Sequence, residues 1–359
     1  MFPIAKFGRQ WRPLAPVCLT LAVALLAGGL ASRLGLPLPW MLGPLFVVAG
    51  LRVRGAALAP LPGGRQAGQW AIGTALGLYF TPDVLRLISE QWLLVVALAG
   101  GSLLVGLCCA RLTGRIAGCD RPTAFFASLP GGASEMAVLA ERFGGAVDRI
   151  AAAHAIRVML VVAVVPVGLT LVGAHGVDHY LPLATRVDPL GLPLLVAVSL
   201  AGTAVLASAR IGNAWVLGPL LGAGAVTAFG VELSMLPQWA VNGGQMLIGS
   251  ALGCRFAPAF FRDAPRFLVA ALASALLGVV LSTLLALAAS SISPAPLATL
   301  VLAAAPGGVA EMCITAKVLQ LGVPLVTVCH ALRVIVLTVT APALYRLSTR
   351  NRGEAGTSR

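Results

Sequence analysis

Glu135 and Glu311 are the residues whose type and surroundings bear most directly on chemistry. Pro130-Gly131-Gly132-Ala133-Ser134-Glu135-Met136 leads up to one, and Pro306-Gly307-Gly308-Val309-Ala310-Glu311-Met312 to the other. Each Glu is followed by a His at the same distance (His154, His330), and each His by an Arg three positions further on (Arg157, Arg333). A carboxylate in apolar surroundings can take a proton or a cation. A guanidinium can hold a carboxylate or phosphate by two parallel hydrogen bonds. Pro lacks an amide donor and Gly is a poor helix former, so a helix should break at Pro-Gly-Gly and restart beside the Glu. The restarted helix would offer free amides and a positive dipole end, to its own Glu or to an anionic solute. His and Arg three apart share one helix face. Two readings stand open: Arg157 and Arg333 pair with Glu135 and Glu311 to fasten the broken helices, or they receive a solute anion. For the two His residues, a simple bond to a carbonyl competes with a role in a site.

The elements that must position these groups belong in a bilayer. The chain of 359 residues is 58% hydrophobic and 10% charged with mean hydropathy +0.94, whereas soluble domains carry roughly 25% charged residues. Apolar runs long enough to cross about 30 Å of hydrocarbon recur at 14–31, 92–110, 149–173, 189–209, 267–291 and 324–345. The polar connections are too short to hide a soluble catalytic or DNA-binding domain. An all-α polytopic membrane protein is therefore expected, with the bilayer as its constant partner. The first run follows Lys6, Arg9 and Arg12, as a signal peptide would, but is read as a span because a counterpart recurs later in the chain. Seven scattered Cys residues imply neither disulfides nor zinc, and His175 and His179 in a loop are read as solvated. The net charge of +13 is attributed to basic loops on one side of the membrane, not to direct contact with nucleic acid. Of the twelve acidic residues, only Glu135 and Glu311 fall within apolar segments placed at membrane depth.

The chain repeats itself. The offset between Pro130 and Pro306 is the offset between the two His, between the two Arg, and between Pro166 and Pro342. GQWAIGTALG from Gly68 matches GQMLIGSALG from Gly244 at the same offset, and WMLGPL from Trp40 matches WVLGPL from Trp215 one position out of step. Two membrane repeats, 1–178 and 179–359, follow. Loop charge gives their orientation. Arg52, Arg54 and Arg65, then Arg86 against Asp83 and Glu90, then Arg111, Arg115 and Arg121 read inside, outside, inside in the first copy. Glu232 alone, then Arg255, Arg262 and Arg266 against Asp263, then an uncharged loop at 290–296 read the opposite way in the second. The repeats are therefore expected to be inverted, with both termini cytoplasmic. About five spans per half are expected, with one broken or re-entrant Pro-Gly-Gly segment in each, since broken backbone at membrane depth needs cover from protein or a water-filled cavity.

Gln69 with Thr74, and Gln245 with Ser250, are candidates to line a path. The alternative is that Gly73, Gly77, Gly249 and Gly253 form close helix contacts to which these polar residues add bonds. Pro44 and Pro219 are read as kinks.

The doubled PGGxxEM…HxxRV…P pattern, preceded in each half by WxLGPL and GQxxIG[ST]ALG, resembles the AbrB membrane duplication family over nearly the whole chain. Members of that family carry labels of ammonia monooxygenase or of regulator of gene expression. More distantly, the pattern is similar to the cation/proton antiporters and bile-acid symporters, in which two inverted halves cross at broken helices. By similarity the motif residues of that family fall on Pro130, Gly131, Gly132, Glu135, His154 and Arg157 and on Pro306, Gly307, Gly308, Glu311, His330 and Arg333. On the chemistry of the side chains and the helix breaks, Gly131, Gly132, Ser134, Glu135, His154 and Arg157 with Gly307, Gly308, Glu311, His330 and Arg333 are the candidates to bind a solute or an ion. The copies differ at Ser134/Ala310 and Glu141/Lys317, so the two half-sites are not chemically equal. No cluster of His, Cys and carboxylate stands at ligand spacing, so no metal, cofactor or catalytic residue is expected and the monooxygenase label fits poorly. The expected function is secondary transport of a small anionic solute with a proton or cation, across the inner (plasma) membrane. A membrane-embedded sensor that affects gene expression indirectly is the alternative.

Overall fold

The computed structural model describes residues 14–174, 176, 181–209, 211–256, 258 and 264–356, without the side chains of Ser134 and of residues 348–356. His175 and His179 lie outside the described residues. All regular structure among the described residues is helical. The first copy contains α1 (Leu14–Arg33), α2 (Pro39–Val53), α3 (Gly64–Gly77), α4 (Pro82–Glu90), α5 (Trp92–Ala117), α6 (Arg121–Ser128), α7 (Ala133–Glu141) and α8 (Val147–Leu171). The second contains α9 (Gly191–Ser208), α10 (Ala214–Ala228), α11 (Gln238–Gly253), α12 (Pro265–Ser290), α13 (Leu297–Ala304), α14 (Val309–Leu319) and α15 (Val323–Gly356). The starts of α6, α7 and α8 recur at the repeat offset as those of α13, α14 and α15, and both ends of α2 recur in α10 one position short of it.

Among the described residues six helices are long and apolar enough to cross a membrane: α1, α5, α8, α9, α12 and the Val323–Leu347 part of α15. They coincide with the six apolar runs of the sequence. Leu26 and Leu30 on α1, and Leu276, Val280 and Leu284 on α12, point outward, as lipid-facing side chains must. The chain is a multi-pass membrane protein. The shorter α2, α3, α10 and α11 have 15, 14, 15 and 16 residues. The chain bends by 87° between α3 and α4. Thr81 caps α4 by accepting from the Val84 amide, and Pro82 starts it with a preset φ.

The helices form two groups, each drawn from both copies. In the first group α9, α10, α3, α11, α2 and α1 pack side by side in that order. Glycine makes these short helices approach closely. A Cβ on Gly73 would strike the Val216 carbonyl and Pro219 of α10, and one on Gly249 would strike the Met41 carbonyl of α2. Gly68 of α3 lies on Gly244 of α11, where the two copies meet. In the second group α5 packs on α12, α8 packs on α12 and α15 packs on α5, with the broken segments α6–α7 and α13–α14 held among them.

Candidate functional site

Each Pro-Gly-Gly segment breaks its helix and folds back toward its own start. In the first, α6 is capped by the Asp120 carboxylate, which accepts from the Thr123 amide at 2.8 Å, and it runs only to Ser128. The backbone is extended at Leu129 and Gly132 before α7 begins. After α7 the chain turns at Gly144 (φ 76°), and the Ala146 amide donates to the Thr123 hydroxyl at 2.7 Å. Phe143 stacks on Phe126 at 5.7 Å. The segment therefore leaves by the end through which it entered. In the second, Gly322 (φ 53°) lies against Thr299 at the matching place, too close to leave room for a Cβ.

Pro130 and Pro306 create a specific deficit. In an unbroken helix the Phe126 carbonyl would accept from the amide of residue 130 and the Leu302 carbonyl from that of residue 306, and proline has no N–H to give. His154 Nε2 meets the Phe126 carbonyl at 3.0 Å, and His330 Nε2 meets that of Leu302 at 2.9 Å. The Arg residues serve the carbonyls that follow. Arg157 donates to Leu129 O at 2.8 Å, to Gly131 O at 3.5 Å and to His154 Nδ1 at 3.0 Å. Arg333 donates to Ala305 O at 2.6 Å, to Gly307 O at 2.6 Å and to His330 Nδ1 at 2.8 Å. A ring that donates from Nε2 and accepts at Nδ1 is a neutral imidazole, so each His is fixed in one tautomer. The His–Arg pair on α8, and its twin on α15, thus supply the donors that broken backbone in hydrocarbon requires.

In this geometry the arginines hold the breaks through backbone carbonyls and not through the carboxylates. Neither pairs with Glu135 or Glu311; an ion pair between side chains is seen at the surface, Arg86–Glu90. The guanidiniums are occupied by carbonyls through their Nη atoms, while Nε of both Arg157 and Arg333 is buried without a partner. Each Glu stands in the first turn of its half-helix, where the exposed amides favour negative charge. Each carboxylate folds back over the second glycine of its own break, Gly132 or Gly308, in space that a Cβ would occupy.

The two carboxylates differ in setting. Glu135 accepts from the backbone amide of Asn213 at 3.0 Å and packs on Gly212, at the left-handed turn that starts α10. Glu311 is 5% exposed and faces an inner cavity with about 50 Å³ of space, enough for a few waters. Both glycine breaks, Arg157 and Arg333 line that cavity, joined by Gln69 and Arg65 from α3 and by Arg255 just beyond α11. The cavity shares Arg65, Gln69 and Asn213 with a wider space of about 280 Å³ that reaches Glu135 and is bordered by the exposed Gln66, Ile211 and Trp215. Four guanidiniums and two carboxylates therefore converge between the two helix groups.

Of the residues singled out in the sequence, Gly131, Gly132, His154, Arg157, Gly307, Gly308, Glu311 and Arg333 border the inner cavity. His330 is buried beside Arg333 and does not line it. The Ser134 side chain lies outside the described residues. Gln69 reaches both spaces, whereas Thr74, Gln245 and Ser250 are buried among the close-packed short helices. Thr74 donates to the Trp70 carbonyl and Ser250 to that of Leu247, each within its own helix. Arg65, Arg255 and Asn213 were not expected here. Arg65 stands four positions before Gln69, on the same helix face, and that spacing is the signal that could have found it.

The family described as transition state regulatory protein AbrB matches residues 40–349. The chain is 26% identical over 358 residues to the uncharacterised protein YhjN of Bacillus subtilis (strain 168), covering 93% of each. It is also 26% identical over 343 residues to a candidate regulator named AbrB in Escherichia coli (strain K12), covering 94% of this chain and 96% of that one.

Proposed function

We propose that this chain, which belongs to the AbrB family, is a secondary transporter of a small anionic solute, coupled to a proton or cation. One observation carries the reading: two broken helices meet at a polar cavity between two helix groups, and the cavity adjoins a wider, more open space at Glu135. Irregular backbone at membrane depth is tolerated where it lines a site, and broken helices at the midplane are how repeat-built transporters make one. Movement of the six-helix group against the other would expose the cavity first to one face and then to the other. Glu311, and Glu135 once freed from the Asn213 amide, are assigned to carry the coupling proton or cation.

The repeats 1–178 and 179–359 are taken as inverted because their loop charges change sign. Both termini then lie in the cytoplasm, the wide space opens there through Arg65 and Gln66, and the membrane is the inner one. Neither an enzymatic step nor a contact with nucleic acid is proposed. The relative named as a regulator supports a second reading, a sensor that binds the same solute without moving it. Counterflow in proteoliposomes separates the two: exchange of labelled for unlabelled solute supports the transporter, and binding without exchange supports the sensor.

A further inference from the structure

Arg65 and Arg255 are the cavity's least explained charges. Arg157 and Arg333 spend their Nη atoms on the backbone breaks, and Glu135 has the Asn213 amide. The side chains of Arg65 and Arg255 make no hydrogen bond or ion pair among the described residues, and Arg65 Nε is buried without a partner. They lie within electrostatic reach of each other, and Arg255 also of Glu311. Two like charges held together in a partly desolvated cavity cost free energy unless an anion stands between them. Glu311 alone supplies one negative charge against four guanidiniums on the same wall.

We infer that Arg65 and Arg255 form the anion-recognition site of this cavity and that the anion is the carboxylate of a small organic acid. The fork of a guanidinium matches a carboxylate edge-on. The inner cavity admits little more than such a group, and the adjoining space is lined by the Gln66, Gln69 and Asn213 amides and Trp215, with the Glu135 carboxylate, held by the Asn213 backbone amide, on its wall. Amides and an indole suit the body of an organic molecule, for which an inorganic oxyanion has no use. The inference rests on the transporter reading only for what happens to the solute after it binds.

The test is thermal stabilisation and tryptophan fluorescence of the purified full-length protein. The probes are lactate, glutamate, succinate and citrate, with inorganic phosphate as the oxyanion arm. At least one carboxylate is expected to stabilise the wild type. Arg65→Gln and Arg255→Gln should each weaken it roughly ten- to hundredfold, while Arg86→Gln, whose ion pair is at the surface, leaves it unchanged. Should either Gln variant fail to fold, Arg65→Lys and Arg255→Lys keep the charge and lose the fork, and are expected to bind at least several-fold more weakly. Stabilisation by no carboxylate, by phosphate alone, or with affinity unchanged in well-folded variants overturns the inference. Counterflow with the same acid keeps the two claims apart. Binding lost in the variants, with no exchange by the wild type, sinks the transporter and leaves the site. Exchange that persists in both variants does the reverse.

Discussion

At the residue scale, the paired motifs divide their labour. His and Arg satisfy the carbonyls of the broken backbone, and each Glu stands at the start of the helix that follows the break. Replacing His154 or His330 by Ala leaves a buried carbonyl without a donor, so each should lower stability by about 1–3 kcal/mol, read as a fall in melting temperature in lipid or detergent. An unchanged melting temperature would remove the helix-fastening role. Glu311→Gln keeps the shape over Gly308 and deletes the titratable charge. Gradient-driven accumulation should fall about tenfold or more, a loss of at least ~1.4 kcal/mol of coupling, while solute binding and melting temperature hold. Equal accumulation by Glu311→Gln would take the coupling role from this residue. The sequence exposed these residues because they recur at one fixed offset in an apolar chain. It hid Arg65 and Arg255 because an Arg beside a span also reads as a loop charge. It hid Asn213 because that residue reaches Glu135 with its backbone amide, which every residue but proline carries.

At the element scale, the short helices of the six-helix group depend on glycine at their crossings. Gly73→Leu drives a side chain into the Val216 carbonyl and Pro219, whereas Gly100 on α5 has open space around it. Gly73→Leu should therefore cost about 1–3 kcal/mol or more and reduce the monodisperse fraction in size-exclusion chromatography, with Gly100→Leu close to wild type. Equal behaviour of the two variants would contradict the packing. Periodicity and length sufficed to find the six long spans. The fold-back of the Pro-Gly-Gly segments is not legible in the sequence, because Pro and Gly announce a break but not the direction taken after it. The bond from the Ala146 amide back to Thr123, near the start of α6, is what turns the chain around.

At the scale of the whole molecule, the halves of the sequence are not the groups of the fold. α3 of the first copy lies between α10 and α11 of the second, a pairing that no local pattern announces. Inversion of the repeats makes a topological prediction. In a background without other cysteines, Cys119 before α6 and an Ala295→Cys before α13 should react with a membrane-impermeant maleimide from opposite faces; labelling from the same face would make the repeats parallel. The central claim is that the two breaks form one site that a solute crosses. It is tested most directly by counterflow in proteoliposomes, with a carboxylate that stabilises the protein as the labelled solute. Labelled uptake should require internal unlabelled acid, persist in Glu311→Gln and be lost in Arg255→Gln. Saturable binding of that acid with no exchange by the wild type would contradict the claim.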